Sequence, residues 1–238
     1  MTASSPRSRS ALWEFAGAAQ APALSWPVIA VCLGSGWLSL HLRWLGIDPQ
    51  SWSGEAARFA GVGAGCLVLA RARRWDREAL GLVARVRPDA GFWARVVGAF
   101  ALFFVPWFAA AALAARAGFD PFGMCEMAKP WSWGESYLAL VHAPLWEEAL
   151  FRFLLCGALL GRVPPSVNIA FNGALFALAH IVYGGIGPDS LVGGFMFAWG
   201  FLRSGTILVP LAMHFLGNLA LVLIVDGAAF HWLACATP

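Results

Sequence analysis

Leu145-Trp146-Glu147-Glu148-Ala149-Leu150-Phe151-Arg152-Phe153-Leu154-Leu155 sets two adjacent carboxylates and a guanidinium in a run that is otherwise apolar. The run lies in a stretch, 135–160, long enough to cross a bilayer. An ionised side chain at that depth costs at least about 2.5–3.5 kcal/mol on insertion scales. Two later apolar runs carry polar pairs as well, Asn172 with His180 and His214 with Asn218. Three hydrophobic segments that each hold groups lipid rejects point to a reaction centre inside the membrane.

The rest of the chain agrees with a membrane setting. Hydrophobic residues make up 60% of it and charged residues 12%, and the mean hydropathy is +0.69. A soluble domain of 238 residues could not hide so much apolar surface. The expected fold class is all-α, a polytopic transmembrane bundle of about seven helices around an intramembrane polar cavity. Runs of roughly 20 apolar residues place the helices near 24–45, 54–70, 92–116, 135–160, 166–183, 190–203 and 206–226. The sixth is short and carries Gly193, Gly194 and Gly200, which suits a tilted helix or one packed wholly within protein. Breakers separate the runs: Gly46-Ile-Asp-Pro49, Gly118-Phe-Asp-Pro121, Arg162-Val-Pro-Pro165 and Gly184-Gly-Ile-Gly-Pro188.

The net charge of +3 is small, and 15 of the 16 basic residues are Arg, mostly in loops. Nucleic acid is therefore not an expected partner; the lipid bilayer is. Seven Arg between Arg71 and Arg95 read as a cytoplasmic juxtamembrane loop. With Arg7 and Arg9 on an uncleaved cytoplasmic tail, seven crossings leave Arg43, Arg58, Arg116, Lys129 and the C-terminus outside. That arrangement obeys the positive-inside rule. The cysteines at 32, 66, 125, 156 and 235 show no metal or redox spacing. Cys125 and Cys235 fall on the same outer face, where they either pair as a disulfide or stay as two thiols.

Glu148 and Arg152, four residues apart, share a helical face and are expected to pair, while Glu147 points about 100° away with a free carboxylate suited to general-base work. His180 follows Phe176 by four residues, and His214 precedes Asn218 by four, so each pair also shares a face. Singly, each is more often an interhelical polar clamp. Together they read as a site built from three helices.

The ordered set Glu147-Glu148-x-x-x-Arg152, Phe176-x-x-x-His180 and His214-x-x-x-Asn218 resembles the CPBP family, the CAAX-type proteases and bacteriocin-processing (Abi) enzymes. Gly193/Gly194 to Gly200 and Ser204-Gly-Thr-Ile-Leu-Val-Pro210 resemble the glycine-rich run and turn that lead into the family's last motif. The resemblance covers about 135–226. It implies an intramembrane endopeptidase in which Glu147 is the general base and His180 helps hold the attacking water. His214 and Asn218 would donate to the oxyanion, and Glu148 and Arg152 would orient the site or contact substrate. The family has been described both as metalloproteases and as glutamic proteases. Glu147, His180 and His214 are the donors a Zn²⁺ ion would take, but no His-Glu-x-x-His is present. Asn218 serves better as an oxyanion donor than as a zinc ligand, so the glutamic mechanism, with no cofactor, is favoured.

On this reading residues 1–91 form a tail, two peripheral transmembrane helices and a basic cytoplasmic loop, and 92–238 form the catalytic core. The expected substrate is a membrane-anchored protein or peptide. An outward-facing His180 suits a C-terminal sorting or anchor segment of an exported protein, as in sortase-like members. Arg-rich, Lys-poor, Ala-rich composition suggests a high-GC bacterium and its inner membrane. Two alternatives use the same residues: a proton-coupled transporter, and a non-catalytic scaffold or immunity protein.

Overall fold

The computed structural model describes residues 15, 21–48, 51–83, 88–120, 123, 125, 131–182, 187–226 and 235. Among them the regular structure is helical throughout, with seven long helices and no strand. These are α1 (Trp26–Leu40), α2 (Trp52–Ala72), α3 (Ala90–Arg116), α4 (133–159), α5 (Pro165–Val182), α6 (Pro188–Ser204) and α7 (Leu208–Asp226). The basic residues Arg7, Arg9, Arg85, Arg87 and Lys129 lie outside the described residues.

Local chemistry sets the ends. Ser51 accepts from the Gly54 amide at the start of α2, and Asp89 accepts from the Phe92 amide at the start of α3. Ser132 and Glu135 form a reciprocal capping box at the start of α4. Pro165 and Pro188 open α5 and α6, where a missing N–H costs nothing. Gly205 (φ 70°) ends α6 in the left-handed conformation that glycine adopts most readily. α1 is shorter than its apolar run, because the chain turns at His41 into a separate 3₁₀ turn, Leu42–Leu45.

Among the described residues α3 alone is long and apolar enough by length and composition to cross a membrane, with a mean hydropathy of 2.2 over its best window. Trp26–Leu40, Pro165–Ile181 and Leu208–Leu223 are shorter apolar helices. In α4 the charged residues break the apolar run. Several polar side chains are buried within the apolar core, while many large apolar ones face outward. Arg152, Glu148, Asn168 and Asn172 are fully buried, whereas Leu102 is 79% exposed, and Val105, Leu113, Leu178, Leu208 and Leu223 are also exposed. Apolar outside and polar inside is what a bilayer requires.

α4 is the hub, packing on α1, α2, α5, α6 and α7. Ile29, Cys32 and Leu69 from α1 and α2 share one core with Leu150, Leu154 and Phe176. α3 leans on this core through Phe92, stacked on Trp199, and Phe100, tilted against Phe197. Cys125, after α3, and Cys235, after α7, are joined by a disulfide.

Arg73, grouped by sequence with the basic loop, is buried. It donates to Gly157 O and Leu160 O at 3.1 Å each and to Pro22 O. It thereby satisfies carbonyls at the C-terminal end of α4, the end of a helix that attracts cations.

Candidate active site

α4 runs unbroken but changes pitch. A π-helical turn, Leu138–His142, precedes the α-helical turn Ala143–Glu148, and a second π-helical stretch, Ala149–Cys156, follows it. Both glutamates thus sit on one α-turn between two stretches of wider helix, a geometry that concentrates at functional sites.

Glu148 is buried, with a hydrogen bond on one oxygen and an ion pair without hydrogen-bond geometry on the other. Its Oε1 accepts from His214 Nδ1 at 2.8 Å, and its Oε2 lies 3.3 Å from Arg152 Nε. Arg152, fully buried, donates from Nη2 to Gly194 O at 3.0 Å. Its guanidinium also lies over the rings of Phe176 (4.6 Å) and Phe197 (5.2 Å). A carboxylate, a backbone carbonyl and two ring faces together make a cation tolerable at this depth.

Glu147 differs from its neighbour. Its Oε2 is buried without a hydrogen bond and is faced by two imidazole nitrogens, His180 Nε2 at 4.0 Å and His214 Nε2 at 3.8 Å. Hydrogen bonding on the far side of each ring orients it. His180 Nδ1 lies 2.9 Å from Phe176 O, which can only accept, so Nδ1 carries a proton and the neutral ring has its lone pair on Nε2. His214 Nδ1 donates to Glu148, and Phe197 stacks on the ring at 4.7 Å. Phe176 touches both imidazoles and Phe151. His180 has a side-chain exposure of 31%, against 11% for Glu147 and 6% for His214, so the site is reached past His180.

Asn218 donates to Ala139 O at 2.7 Å, in the first π-helical turn of α4. Asn172 donates to Asn168, whose own amide donates to Cys156 O. That pair is a clamp between α5 and α4 rather than part of the site.

Sequence alone gives three participants no role in the site, although it marks Gly194 as part of a glycine-rich run. Gly194 supplies the carbonyl that holds Arg152, Phe197 covers both His214 and Arg152, and Asn168 anchors the Asn172 clamp. Gly194 carries a testable requirement. An added Cβ would meet Gly173 O at 2.9 Å and Phe176 Cβ at 3.0 Å, where α5 and α6 cross, and backbone cannot yield there. Gly194→Ala is expected to lower stability by about 1–3 kcal/mol in a detergent unfolding experiment. At Gly193 an added Cβ meets the Phe197 ring only at 3.4 Å, an ordinary contact. Gly193→Ala should therefore cost much less, and equal losses at the two positions would refute the account.

Glu147, His180 and His214 are suitable donors for zinc by type, but their spacing is wide for it. Donors about 2.0–2.1 Å from a tetrahedral ion lie about 3.4 Å from one another. Glu147 Oε2 lies 3.8 and 4.0 Å from the two nitrogens. Among the described residues no group of three or more His, Cys, Asp or Glu side chains is arranged to hold a metal ion. The present spacing suits a bridging water better than a shared metal.

Residues 129–220 match the family described as type II CAAX prenyl endopeptidase Rce1-like. No curated protein and no solved structure matches the chain. The matched segment holds Glu147, Glu148, Arg152, Phe176, His180, His214 and Asn218, and the match supports kinship of this segment with the CPBP family of CAAX-type proteases. Proteins of that family are membrane proteases, which is consistent with the apolar outer surface of this chain.

Proposed function

We propose that the chain is an intramembrane endopeptidase in which Glu147 activates a water to hydrolyse a peptide bond of a membrane-anchored protein. The observation that carries this reading is the buried, unbonded Glu147 Oε2 facing two imidazole nitrogens at about 4 Å. That separation suits a single water hydrogen-bonded on both sides.

Proton counting divides the roles. The water has two protons: Glu147 takes one, and the other points to His180 Nε2, an acceptor because Nδ1 is engaged by Phe176 O. His214 donates to Glu148 through Nδ1 and turns Nε2 towards the substrate oxygen. As the water oxygen attacks the carbonyl carbon, its proton passes to Glu147 and the C=O becomes an oxyanion facing His214. Glu147 returns the proton to the amide nitrogen as the C–N bond breaks. Asn218, whose amide is engaged at Ala139 O, positions α4 in this scheme rather than meeting the oxyanion. No metal is required.

The substrate we favour is an exported protein with a C-terminal sorting or anchor segment, processed on the outer face of a bacterial inner membrane. The Cys125–Cys235 disulfide supports that side, since disulfides persist in oxidising compartments. It joins the segments that follow α3 and α7. With the helices crossing alternately, His180, in the last turn of α5, lies at the same end. The C-terminus is then outside and the N-terminus cytoplasmic, with residues 92–238 forming the catalytic core.

The test compares native membranes carrying wild type or His180→Ala, reading intact masses and C-termini of membrane-anchored exported proteins with and without a chelator. A longer species is expected to accumulate in the variant, and wild-type cleavage should survive chelation. Unchanged termini in a folded variant would overturn the protease reading; chelator-sensitive cleavage would overturn the metal-free one.

A further inference from the structure

α4 reaches Glu147 by way of the π-helical turn Leu138–His142, and that turn is gripped from two sides. From α7, Asn218 donates to Ala139 O. From α2, Glu55 Oε2 lies 3.4 Å from His142 Nε2, and Phe59 packs edge-on against the His142 ring at 5.5 Å. Arg58, 3.5 Å from Glu55 Oε1, lays its guanidinium 4.9 Å from the centre of the Trp146 ring, on the residue before Glu147. Glu55, Arg58 and His142 are all substantially buried, and Glu55 Oε2 makes no hydrogen bond. Three ionisable side chains against an apolar helix are costly in a membrane. No step of the proposed hydrolysis uses them, and Glu55 and Arg58 lie outside the segment that matches the family.

We infer that Glu55, Arg58 and His142 are positioning residues, which together with Asn218 hold the π-helical turn and so aim Glu147. A π-bulge fits one residue more into the helix than the α path does, and each residue turns an α-helix by about 100°. If the turn relaxed to α geometry, residues on its two sides would rotate against each other by about that angle. The part of the helix held at Ala139 by Asn218 and the part carrying Trp146 and Glu147 could not then both keep their partners. π-Turns are rare within α-helices and collect at functional sites, so this one calls for contacts that favour it over the α path. Here the contacts come from α2 on one side and α7 on the other. α2 is thereby part of the catalytic apparatus without touching substrate.

This inference rests on the proposed role of Glu147, and the experiment separates the two. The full chain in lipid is assayed on the substrate found by the terminus survey, as wild type, Glu55→Ala, Glu55→Gln and Glu147→Gln, with amide hydrogen exchange measured on each. Glu55→Ala should lower kcat by about 10–100-fold, the scale expected for displacing a reacting group by an ångström or so. KM and Tm should stay close to wild type. Glu55→Gln, which keeps the shape of the side chain and a polar group beside His142, should restore kcat to within a few-fold. Exchange should quicken at 138–146 in Glu55→Ala and stay unchanged at 150–158. Unaltered exchange at 138–146, or a fall in kcat matched by a fall in Tm and not rescued by Gln, would overturn the inference. If Glu147→Gln keeps full activity, the catalytic assignment fails instead, and the exchange pattern still reports whether Glu55 holds the turn.

Discussion

Glu147→Gln is expected to lower kcat by about 10²–10⁴-fold while leaving the protein at least as stable as wild type. Removing a general base has an effect of that size, and the amide keeps the shape of the side chain. The stability half of the prediction comes from the bonding. Glu147 Oε2 has no hydrogen bond to lose, unlike Glu148, which is tied to His214 and Arg152. A buried carboxylate without a bonded partner is a cost to the fold that catalysis retains, so neutralising it relieves rather than strains the core. The measurement is single-turnover cleavage alongside thermal unfolding in the same detergent. Activity within a few-fold of wild type would remove Glu147 from the mechanism. A Tm several degrees lower would show that its role is structural.

The parts of this arrangement legible in sequence share one cause. Ionisable and amide side chains are so costly in an apolar run that their presence alone marks Glu147, Glu148, Arg152, His180, His214 and Asn218. Helical spacing then puts Glu148 next to Arg152, as the 3.3 Å contact has it. The same contrast between apolar runs and breakers located α3 to within two residues at its start, 92 against Ala90, and α7 to within two, 206 against Leu208. Hydropathy reports which residues avoid water and is blind to helix pitch. It ran α1 on through the 3₁₀ turn Leu42–Leu45 and gave no sign of the π-helical turns in α4. Those turns decide where Glu147 aims.

Residues whose importance lies in a neighbour's position were equally silent. Gly194 and Phe197 are ordinary members of an apolar segment until Arg152 is seen against both. Arg73 looked like one more loop arginine because nothing local announces that the end of α4 lies beside it. Asn218 was read by spacing as a partner of His214, yet its hydrogen bond runs across to α4. A shared helical face limits where a side chain can point. The neighbouring helix decides what it meets.

Arg152→Met should be the most damaging single change to the fold, at about 3–5 kcal/mol, the usual loss when one partner of a buried ion pair is removed. Methionine roughly fills the space, so the loss is electrostatic. Glu148, fully buried, would keep only His214, and Gly194 O would lose its donor. Against a typical total stability of about 5–15 kcal/mol, much of the variant should fail to fold or to survive extraction. The double variant Glu148→Gln with Arg152→Met separates charge from packing. Removing both charges avoids stranding either, so at least half of the lost stability should return in a detergent or denaturant unfolding series. Activity should not return with it, because His214 no longer has the carboxylate that orients its ring through Nδ1. A stable but inactive double variant is therefore the expected outcome. If the single change costs under about 1 kcal/mol, or the double is no more stable than the single, the Glu148–Arg152 pair is not the electrostatic anchor of the site.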